Sequence, residues 1–471
     1  MSELGRKGNS RCIMRPVDRS AFVYPILGIG LLAAAVTSEI LVKPHAADHR
    51  VHITYWEKWT GFEFDAMKAV VDEFNQSQDK ITVDFLSVSN IRDKTLLAIS
   101  GGVPPDLAGL ESGFVAQFVD EKALFPLDDL CAKGGISKDR YVKAYWDICN
   151  YKGHTYALPT TPASTALHYN RALLKKAGFN PDKPPVTLEE LSAMAEKLTK
   201  KNAKGSITVA GFLPAEPGWW NWAWGCVYGG KLWDGTSKIT SDSKENVQGF
   251  EFVQSFSKKY GPGQIQTFKS GFGQFSSPQN AFMSSQVVLE LQGVWMYNFI
   301  HMYKPNLDWA AAPFPYPASR PDLKRMTFVD EDILCIPRGA KHIPEAFEFA
   351  KFVQSQHGME LLCMGQKKQT PLKYVTPEFL AKHPNPYIKL FIAMAQEPNA
   401  VTAPQMGIWP EYQDELNNAY DAISLLHLSP AEALKKVRLR MQPKLDHYLE
   451  RLKRRDAQEQ ASQKTLAASR S

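Results

Sequence analysis

Four tryptophans fall within six residues of this sequence, at Trp219, Trp220, Trp222 and Trp224, although the whole chain has only eleven. An indole ring can fill a hydrophobic core, or it can offer a flat apolar face to a bound ligand. On a helix Trp220 and Trp224 share one face, while Trp219 and Trp222 share another. We therefore predict a helix over residues 218–228, with one pair in the core and the other facing a cleft.

A second aromatic stretch, Tyr55-Trp-Glu-Lys-Trp-Thr60, ends the predicted first strand. Open α/β sheets bind ligands at the carboxyl ends of their strands. Here a Trp ring can stack on the C–H face of a sugar, and Glu57 and Thr60 can hydrogen-bond hydroxyl groups. For any single Trp, packing in the core is the alternative interpretation.

The sequence contains none of the common catalytic signatures of fixed spacing. There is no G-x-x-x-x-G-K-[ST], no H-E-x-x-H and no G-x-S-x-G, and Gly271-Phe-Gly273 lacks the third glycine of a dinucleotide-binding turn. Adjacent acids such as Asp128-Asp129 or Glu331-Asp332 could serve as glycosidase carboxylates, but adjacent acids are also common on surfaces. We predict no catalytic residue, no metal site and no cofactor.

Length and charge limit the class of protein. A chain of 471 residues is long enough for two or three domains, and 44% hydrophobic with 22% charged residues is ordinary globular composition. The net charge of +6 lies at the ends, because residues 1–47 carry +3 and residues 451–471 carry +4, which leaves −1 for the body. A nearly neutral body has no general attraction for nucleic acid, so no nucleic-acid partner is predicted.

The N-terminus has the pattern of a targeting segment. Five basic residues between Arg6 and Arg19 precede an uncharged run over residues 21–36. This predicts an export signal or an N-terminal membrane anchor, with the body outside the cytoplasm. Cysteines can pair in such a compartment, and Cys131–Cys149 or Cys335–Cys363 are candidates that spacing alone does not decide.

The body alternates strand and helix patterns. Strands are predicted over 51–56, 81–86 and 107–110, with helices between them, which predicts a parallel sheet with right-handed crossovers. Thr187 and Glu190 have the spacing of a capping box at the start of a later helix. The sequence therefore predicts two mixed α/β regions, between which the chain crosses more than once.

Several short motifs follow one another along the chain: Trp56 to Gly61, Pro104-Pro-Asp-Leu107, Tyr156-Ala-Leu-Pro159, Leu167-His-Tyr-Asn170, Pro184-Pro-Val-Thr-Leu-Glu-Glu-Leu191, the Trp run up to Gly229-Gly230, and Leu291-Gln-Gly-Val-Trp295. In this order they resemble the extracellular solute-binding proteins of ABC importers, in the carbohydrate-binding group called family 1. The resemblance spans about residues 50–450.

The resemblance implies an α/β, two-lobe fold of the periplasmic-binding-protein type, with a ligand cleft between lobes joined by crossing hinge segments. The implied organisation is: leader 1–47, first part of lobe 1 48–160, first part of lobe 2 161–325, return segment of lobe 1 326–365, mostly helical completion of lobe 2 366–455, disordered tail 456–471. Matching the family's motifs residue by residue gives these ligand-binding candidates: Trp56, Glu57, Trp59, Glu111, Ser112, Thr160, Thr161, Trp219, Trp220, Gly293, Trp295, Glu331, Asp332 and Trp409.

By this resemblance the protein is a non-enzymatic, monomeric binding protein that delivers a sugar or oligosaccharide to the membrane permease subunits of an ABC importer. One departure is Val329-Asp-Glu-Asp332, where the family has small residues; this acidic stretch reads sugar hydroxyls or favours a cationic ligand. Two alternatives stay open. One is an exported carbohydrate-active enzyme using Glu57, Glu111 or Glu331. The other is a binding protein for a polyol phosphate or other anion, with Lys58, Arg92 or Arg338 in the cleft.

Overall fold

The computed structural model describes residues 49–274 and 276–468. The predicted leader over residues 1–47 lies outside the described residues. The chain divides into two units, residues 1–50 and Val51–Ser471, and the fold lies in the described part of the second unit. Within it, no helix combines the length and the apolar character that crossing a bilayer requires.

The strands of this unit are β1 (Val51–Glu57), β2 (Ile81–Ser87), β3 (Leu107–Glu111), β4 (Asn150–Tyr151), β5 (His154–Thr155), β6 (Ala157–Asn170), β7 (Lys200–Lys201), β8 (Ile207–Phe212), β9 (Val287–Gly293), β10 (Trp309–Ala312), β11 (Thr327–Cys335) and β12 (Ala400–Val401). The main sheet has the order β2-β1-β3-β11-β6-β9-β8-β7. β1 is parallel to β2 and β3, which confirms the predicted parallel start. β11 then runs antiparallel to both β3 and β6.

The α-helices are α1 (Gly61–Ser77), α2 (Ile91–Ser100), α3 (Val115–Asp120), α4 (Asp128–Gly134), α5 (Lys143–Ile148), α6 (Arg171–Lys176), α7 (Leu188–Leu198), α8 (Lys244–Tyr260), α9 (Pro262–Lys269), α10 (Met296–Tyr303), α11 (Ile343–Val353), α12 (Gln356–Gln366), α13 (Pro377–Lys382), α14 (Ile388–Ala395), α15 (Trp409–Ser424) and α16 (Pro430–Ala468). The capping box at α7 is confirmed, because Thr187 Oγ1 accepts from the Glu190 amide while the Glu190 carboxylate accepts from the Thr187 amide.

Two large hydrophobic cores flank the middle of the sheet. One contains Met67 of α1 and Phe349 of α11; the other contains Phe212 of β8 and Phe250 of α8. The strands β6 and β11 contribute to both cores. On β6, for example, Leu158 joins the first core and Leu167 joins the second. These two strands therefore carry the chain across the boundary between the cores.

The implied lobe boundaries stay a prediction, but core membership bears on them. Within the segment 366–455, Phe379 and Phe391 pack in the first core, whereas the residues from Trp409 to Leu445 that are buried in a core pack in the second. Where the sequence predicts a disordered tail from residue 456, the structure has α16 continuing to Ala468. Contacts with the body anchor this end: Arg455 donates to the Asp120 carbonyl oxygen, and Lys122 pairs with Glu459.

The tryptophan run differs from the helix predicted over 218–228. It forms a 3-10 helix only from Asn221 to Tyr228, so Trp219 and Trp220 precede it and the helical spacing does not apply to them. Close packing against α8 accompanies this geometry: a Cβ on Gly225 would lie 2.1 Å from Asn246 Oδ1. The predicted pairing is therefore wrong, since Trp222 and Trp224 are the two that lie in the core.

Candidate ligand-binding cleft

A cavity of about 190 Å³ lies where β6 and β11 cross between the two cores. The start of α1, the turn before the 3-10 helix, and the start of α10 close it on the other sides. Its lining residues are Phe62, Glu63, Thr161, Ala163, Trp219, Trp295, Phe299, Asp330, Glu331, Asp332 and Lys368. Aromatic rings and carboxyl groups dominate this set, which gives the cavity an apolar wall and an acidic wall.

The apolar wall is built on two aromatic pairs. The Trp219 and Trp295 rings lie 5.0 Å apart with an interplanar angle of 38°, and Phe62 meets Phe299 edge to face at 6.0 Å. Gly293 makes this wall possible, because a Cβ at that position would lie 2.3 Å from the Trp295 ring. The Trp295 Nε1 is buried and finds no hydrogen-bond acceptor among the described residues. Trp295 thus has a donor available for a ligand oxygen.

Three consecutive acids of β11 form the opposite wall. A register shift between Glu331 and Ile333 interrupts the strict alternation of side chains, and Asp330, Glu331 and Asp332 all border the cavity. The Ser112 hydroxyl donates to Asp330, and the Cys149 thiol donates to Glu331 Oε1 at 3.3 Å. The other oxygen, Glu331 Oε2, is buried without a hydrogen-bond partner among the described residues.

Asp332 is the best-anchored of these acids. It forms an ion pair with Lys58, and its Oδ2 accepts from Trp59 Nε1 at 3.1 Å and from Thr161 Oγ1 at 3.4 Å. Its backbone carbonyl accepts from Thr160 Oγ1 at 2.7 Å. The loop after β1 and the crossing strand β6 therefore both fix the position of the acidic segment.

The surrounding protein shifts the pKa values of these three acids in different directions. Burial raises the pKa of Glu331 well above its usual value. Asp330 is open to the cleft, yet the protein surrounds it closely enough that desolvation raises its pKa to about 6. Burial would also raise the pKa of Asp332, but Lys58 and Lys368 outweigh it and lower that pKa. The surroundings thus favour the charged form of Asp332, whereas burial favours the neutral form of Glu331.

Glu57 lies deep behind the acidic wall. Its carboxyl accepts from the Tyr55 hydroxyl at 2.9 Å and from the Lys58 amide at 2.8 Å, and burial raises its pKa to about 8. The absence of a side chain at Gly109 makes room for the Glu57 carboxyl group, since a Cβ on Gly109 would lie 1.6 Å from Glu57 Oε2. Burial opposes the charge of Lys58, but Asp332, Glu57 and Glu111 together raise its pKa above the ordinary value.

The structure brings together some of the predicted site residues and separates others. Those that line the cavity are Thr161, Trp219, Trp295, Glu331 and Asp332. Four more contact a residue of the lining without lining the cavity themselves: Trp59, Ser112, Thr160 and Gly293. Glu57 lies next to them and accepts from the Lys58 amide. Trp59 is buried, so it offers no ring face to a ligand in this structure. Its prediction as a contact residue becomes a proposal that it positions Asp332.

Four predicted residues lie elsewhere. Trp56 packs against the small core around Leu110, and Glu111 stands half-exposed with its carboxylate 3.9 Å from Lys58 Nζ. Trp220 stacks on Phe328 at 5.2 Å. Trp409 is only 3% exposed and packs edge to face on Trp222 at 4.9 Å. The rings of Trp220 and Trp409 are therefore both packed against other aromatic side chains of the protein.

Sequence reasoning missed other residues of the lining, namely Phe62, Glu63, Ala163, Phe299, Asp330 and Lys368. For Asp330 the signal was present, since it belongs to the acidic stretch that departs from the family pattern. Phe62 and Glu63 directly follow the aromatic loop and begin α1, so their position was also accessible. Lys368 is the hardest case, because it is buried and its Nζ donates to Glu63 Oε1 at 2.8 Å across 305 positions.

Three larger cavities among the described residues contain none of the predicted site residues. One, of about 540 Å³, lies between the end of the 3-10 helix and the loop 398–405; a second, of about 620 Å³, lies beside α16; a third, of about 280 Å³, lies between α8, α9 and the end of α15. No group of three or more His, Cys, Asp or Glu side chains within residues 49–274 and 276–468 is placed to hold a metal ion. Volume alone does not identify the site; the convergence of aromatic rings and polar groups favours the smaller cavity.

The chain is similar in sequence and in structure to known binding proteins. The family model described as bacterial extracellular solute-binding protein matches residues 63–360. The arabinooligosaccharide-binding protein of Bacillus subtilis (strain 168) is 23% identical over 353 residues, which cover 72% of this chain and 77% of the relative. A Brucella abortus (strain 2308) protein, named only as a binding protein, is 24% identical over 424 residues, covering 86% and 95%.

Among solved structures, that of CpMnBP1 with mannotriose bound is similar with a TM-score of 0.72 and 26% identity, covering 83% of this chain and 99% of the other. Periplasmic-type sugar-binding structures thus share the α/β fold described above. Since the family model covers more than half of the sequence, the chain belongs to the bacterial extracellular solute-binding protein family.

Proposed function

We propose that this protein is the extracytoplasmic substrate-binding component of an ABC importer and that it binds a sugar or oligosaccharide in the 190 Å³ cavity. The single observation that carries the proposal is that the Trp219–Trp295 pair and the acids of β11 line one cavity. An indole face covers the apolar C–H surface of a sugar ring, while carboxyl oxygens accept hydrogen bonds from its hydroxyl groups.

The volume of the cavity supports one enclosed sugar unit. It is smaller than the roughly 300–1,000 Å³ of pockets that bury drug-sized molecules. A longer oligosaccharide would therefore extend out of the cavity along the cleft. Because β6 and β11 connect the two cores beside it, bending of these strands would close the cleft over the bound unit. The permease subunits would then recognise the closed form.

The location follows from the same proposal. A solute-binding component works outside the cytoplasm, either free after cleavage of its leader or tethered by the uncleaved segment 1–47. The charges along residues 48–450 sum to −1, so the protein has no general attraction for nucleic acid. We propose that it acts as a monomer and without catalysis.

The alternative of an anionic ligand is disfavoured, because the basic residues near the cavity are already paired with acids or do not line it. Lys58 is engaged by Asp332 and Glu111, and Lys368 by Glu63. Arg92 pairs with its neighbour Asp93, and neither it nor Arg338 lines the cavity. Four carboxyl groups and one amine line the cavity, and that amine is paired with Glu63, so a phosphate would find no free cation in the lining.

The enzyme alternative needs two carboxyl groups flanking one bond with open access to it. Of its three candidates, Glu331 borders the cavity, Glu57 is buried with both oxygens accepting internal hydrogen bonds, and Glu111 is held beside Lys58. This arrangement supports binding better than acid–base catalysis.

The test is thermal unfolding of the purified protein with mono-, di- and oligosaccharides, polyols and polyol phosphates. A ligand at about 100 times its Kd adds ~2.7 kcal/mol to stability, which is a shift of several degrees. A shift with a saccharide that is recovered intact supports the proposal. A shift only with a polyol phosphate, or recovery of cleaved sugar, would replace it with the corresponding alternative.

A further inference from the structure

The charges around the cavity are unequally compensated. Asp332 has Lys58 as its cation, and Glu63 has Lys368 at 2.8 Å. Asp330 and Glu331 form no ion pair with any residue in 49–274 or 276–468. The cavity therefore has two neighbouring carboxyl groups on β11 without an ion pair, of which Asp330 is open to the cleft, while Lys58 and Lys368 are paired with other acids.

Glu331 supplies an independent sign of a missing partner. Its side chain is 3% exposed, and Oε2 is buried with no hydrogen-bond donor among the described residues, although it borders the cavity. Buried polar atoms in folded proteins are almost always hydrogen-bonded. A donor that enters the cavity would satisfy this oxygen, and an N–H donor carrying positive charge would also compensate the neighbouring Asp330.

The aromatic wall favours the same kind of donor. The negative faces of indole rings attract cations within about 6 Å of the ring centre. Trp219 and Trp295 form a tilted pair that lines the same cavity as the acids, so an ammonium group in the cavity can contact both indole rings and carboxyl oxygens. A neutral sugar hydroxyl would gain only the hydrogen bond.

We propose that the sugar unit enclosed by this cavity is a hexosamine with a free amino group, whose ammonium lies between the Trp219–Trp295 pair and the Asp330–Glu331 carboxyl groups. This inference rests on the proposed function and narrows its ligand class. The acetylated amine of an N-acetylhexosamine carries no charge, so the site discriminates between the two forms of the same sugar.

The test compares three disaccharides with the same β-1,4 linkage, which differ only at C2 of their two rings. The glucosamine dimer carries an amino group on each ring, its di-N-acetyl form a neutral amide, and cellobiose a hydroxyl. Isothermal titration of the full protein at pH 7 and low salt measures each Kd. The glucosamine dimer is expected to bind at least about tenfold tighter than cellobiose, which corresponds to about 1.4 kcal/mol, and the preference is expected to shrink as salt is added.

Asp330→Asn keeps the shape of a side chain that is open to the cleft and removes its charge. It is expected to abolish most of the preference of glucosamine dimer over cellobiose, whereas Asp129→Asn, an exposed acid on α4, is expected to preserve it. An unchanged preference in Asp330→Asn would overturn the inference, as would equal or weaker binding of the glucosamine dimer by the parent protein.

The outcomes also separate this inference from the proposed function. Binding of cellobiose or the acetylated dimer without preference for the amine would overturn the hexosamine assignment and leave saccharide binding standing. Failure of all three disaccharides to bind would overturn the hexosamine assignment, while the broader saccharide panel decides the function by itself.

Discussion

Trp59 donates a hydrogen bond of 3.1 Å from its indole Nε1 to Asp332 Oδ2, which joins two residues 273 positions apart. Trp59 is buried, and Asp332 borders the cavity. The indole thus holds an acid in place, whereas a stacking role would need an exposed ring face. Through this contact the loop after the first strand fixes the acidic wall that the return strand carries.

Removal of the anchored carboxylate should lower stability. Asp332→Ala leaves Lys58 and Trp59 Nε1 without their main acceptor, and truncation of one partner of a largely buried pair costs about 2–4 kcal/mol. Urea denaturation at pH 7 measures it, with the exposed Asp129→Ala expected to stay within about 0.5 kcal/mol of the parent. Equal stability of the two variants would show that the pair has no structural role.

Glu57 makes the stability of the protein depend on pH, and its pKa is shifted in the opposite direction to that of Asp332. Burial raises its pKa to about 8, whereas an unfolded Glu titrates near about 4.3. Folding therefore takes up a proton between these values, and stability falls as pH rises from about 4.3 to about 8. Glu57→Gln can still accept from the Lys58 amide, so it should come closest to the parent at pH 5, and its stability relative to the parent should grow by about 4 kcal/mol between pH 5 and pH 9.

Denaturation of the parent and Glu57→Gln at pH 5, 7 and 9 gives the comparison. The charges nearest to Glu57 are Lys58 and Asp332, which stay ionised over this range, so the difference reports Glu57. A stability difference that does not grow with pH would contradict the buried, protonated carboxyl.

Trp→Ala substitutions at three positions of the tryptophan run are expected to affect binding and stability in three different ways. Trp219→Ala should weaken saccharide binding about tenfold or more with little loss of stability, because its ring borders the cavity. Trp224→Ala should cost about 3–5 kcal/mol, since the ring lies in the core. Trp220→Ala should lower stability more than affinity, because Phe328 occupies its ring face. Titration and urea denaturation of each variant separate the two effects.

Gly293→Ala tests the support of the aromatic wall. The new Cβ would lie 2.3 Å from the Trp295 ring, so the indole must move away from its present position. We expect weaker saccharide binding together with a changed near-ultraviolet circular dichroism signal. As a control, Gly263→Ala, where a Cβ meets nothing within 4 Å, should change neither. An unchanged affinity in Gly293→Ala would show that the position of Trp295 does not matter for binding.

The fold could be predicted from the sequence to a large extent because its signals are local. The alternating strands, the capping box at Thr187 and the order of short motifs all depend on residues close together in the chain, and the structure confirms the parallel β2-β1-β3 start. Family membership follows from that same order of motifs.

The site could be predicted only in part because it depends on contacts between distant residues. Trp59 and Trp409 have the residue type and motif position of ligand contacts, yet both rings are buried, and only tertiary packing decides which indole is exposed. Lys368 enters the site through an ion pair with Glu63 that no spacing reveals. The end of the last helix was missed for a similar reason, since Arg455 and Glu459 contact residues near Asp120.

The most direct test of the account is calorimetric titration of the parent and the Trp219→Ala/Trp295→Ala double variant with mannotriose, maltotriose and arabinotriose. We predict that at least one trisaccharide binds the parent at one molecule per chain and is recovered intact, and that the double variant binds it at least about tenfold more weakly while remaining folded. Equal affinity in the double variant would contradict the account and would move the site away from this cavity, for example to the larger one beside Trp222 and Trp233.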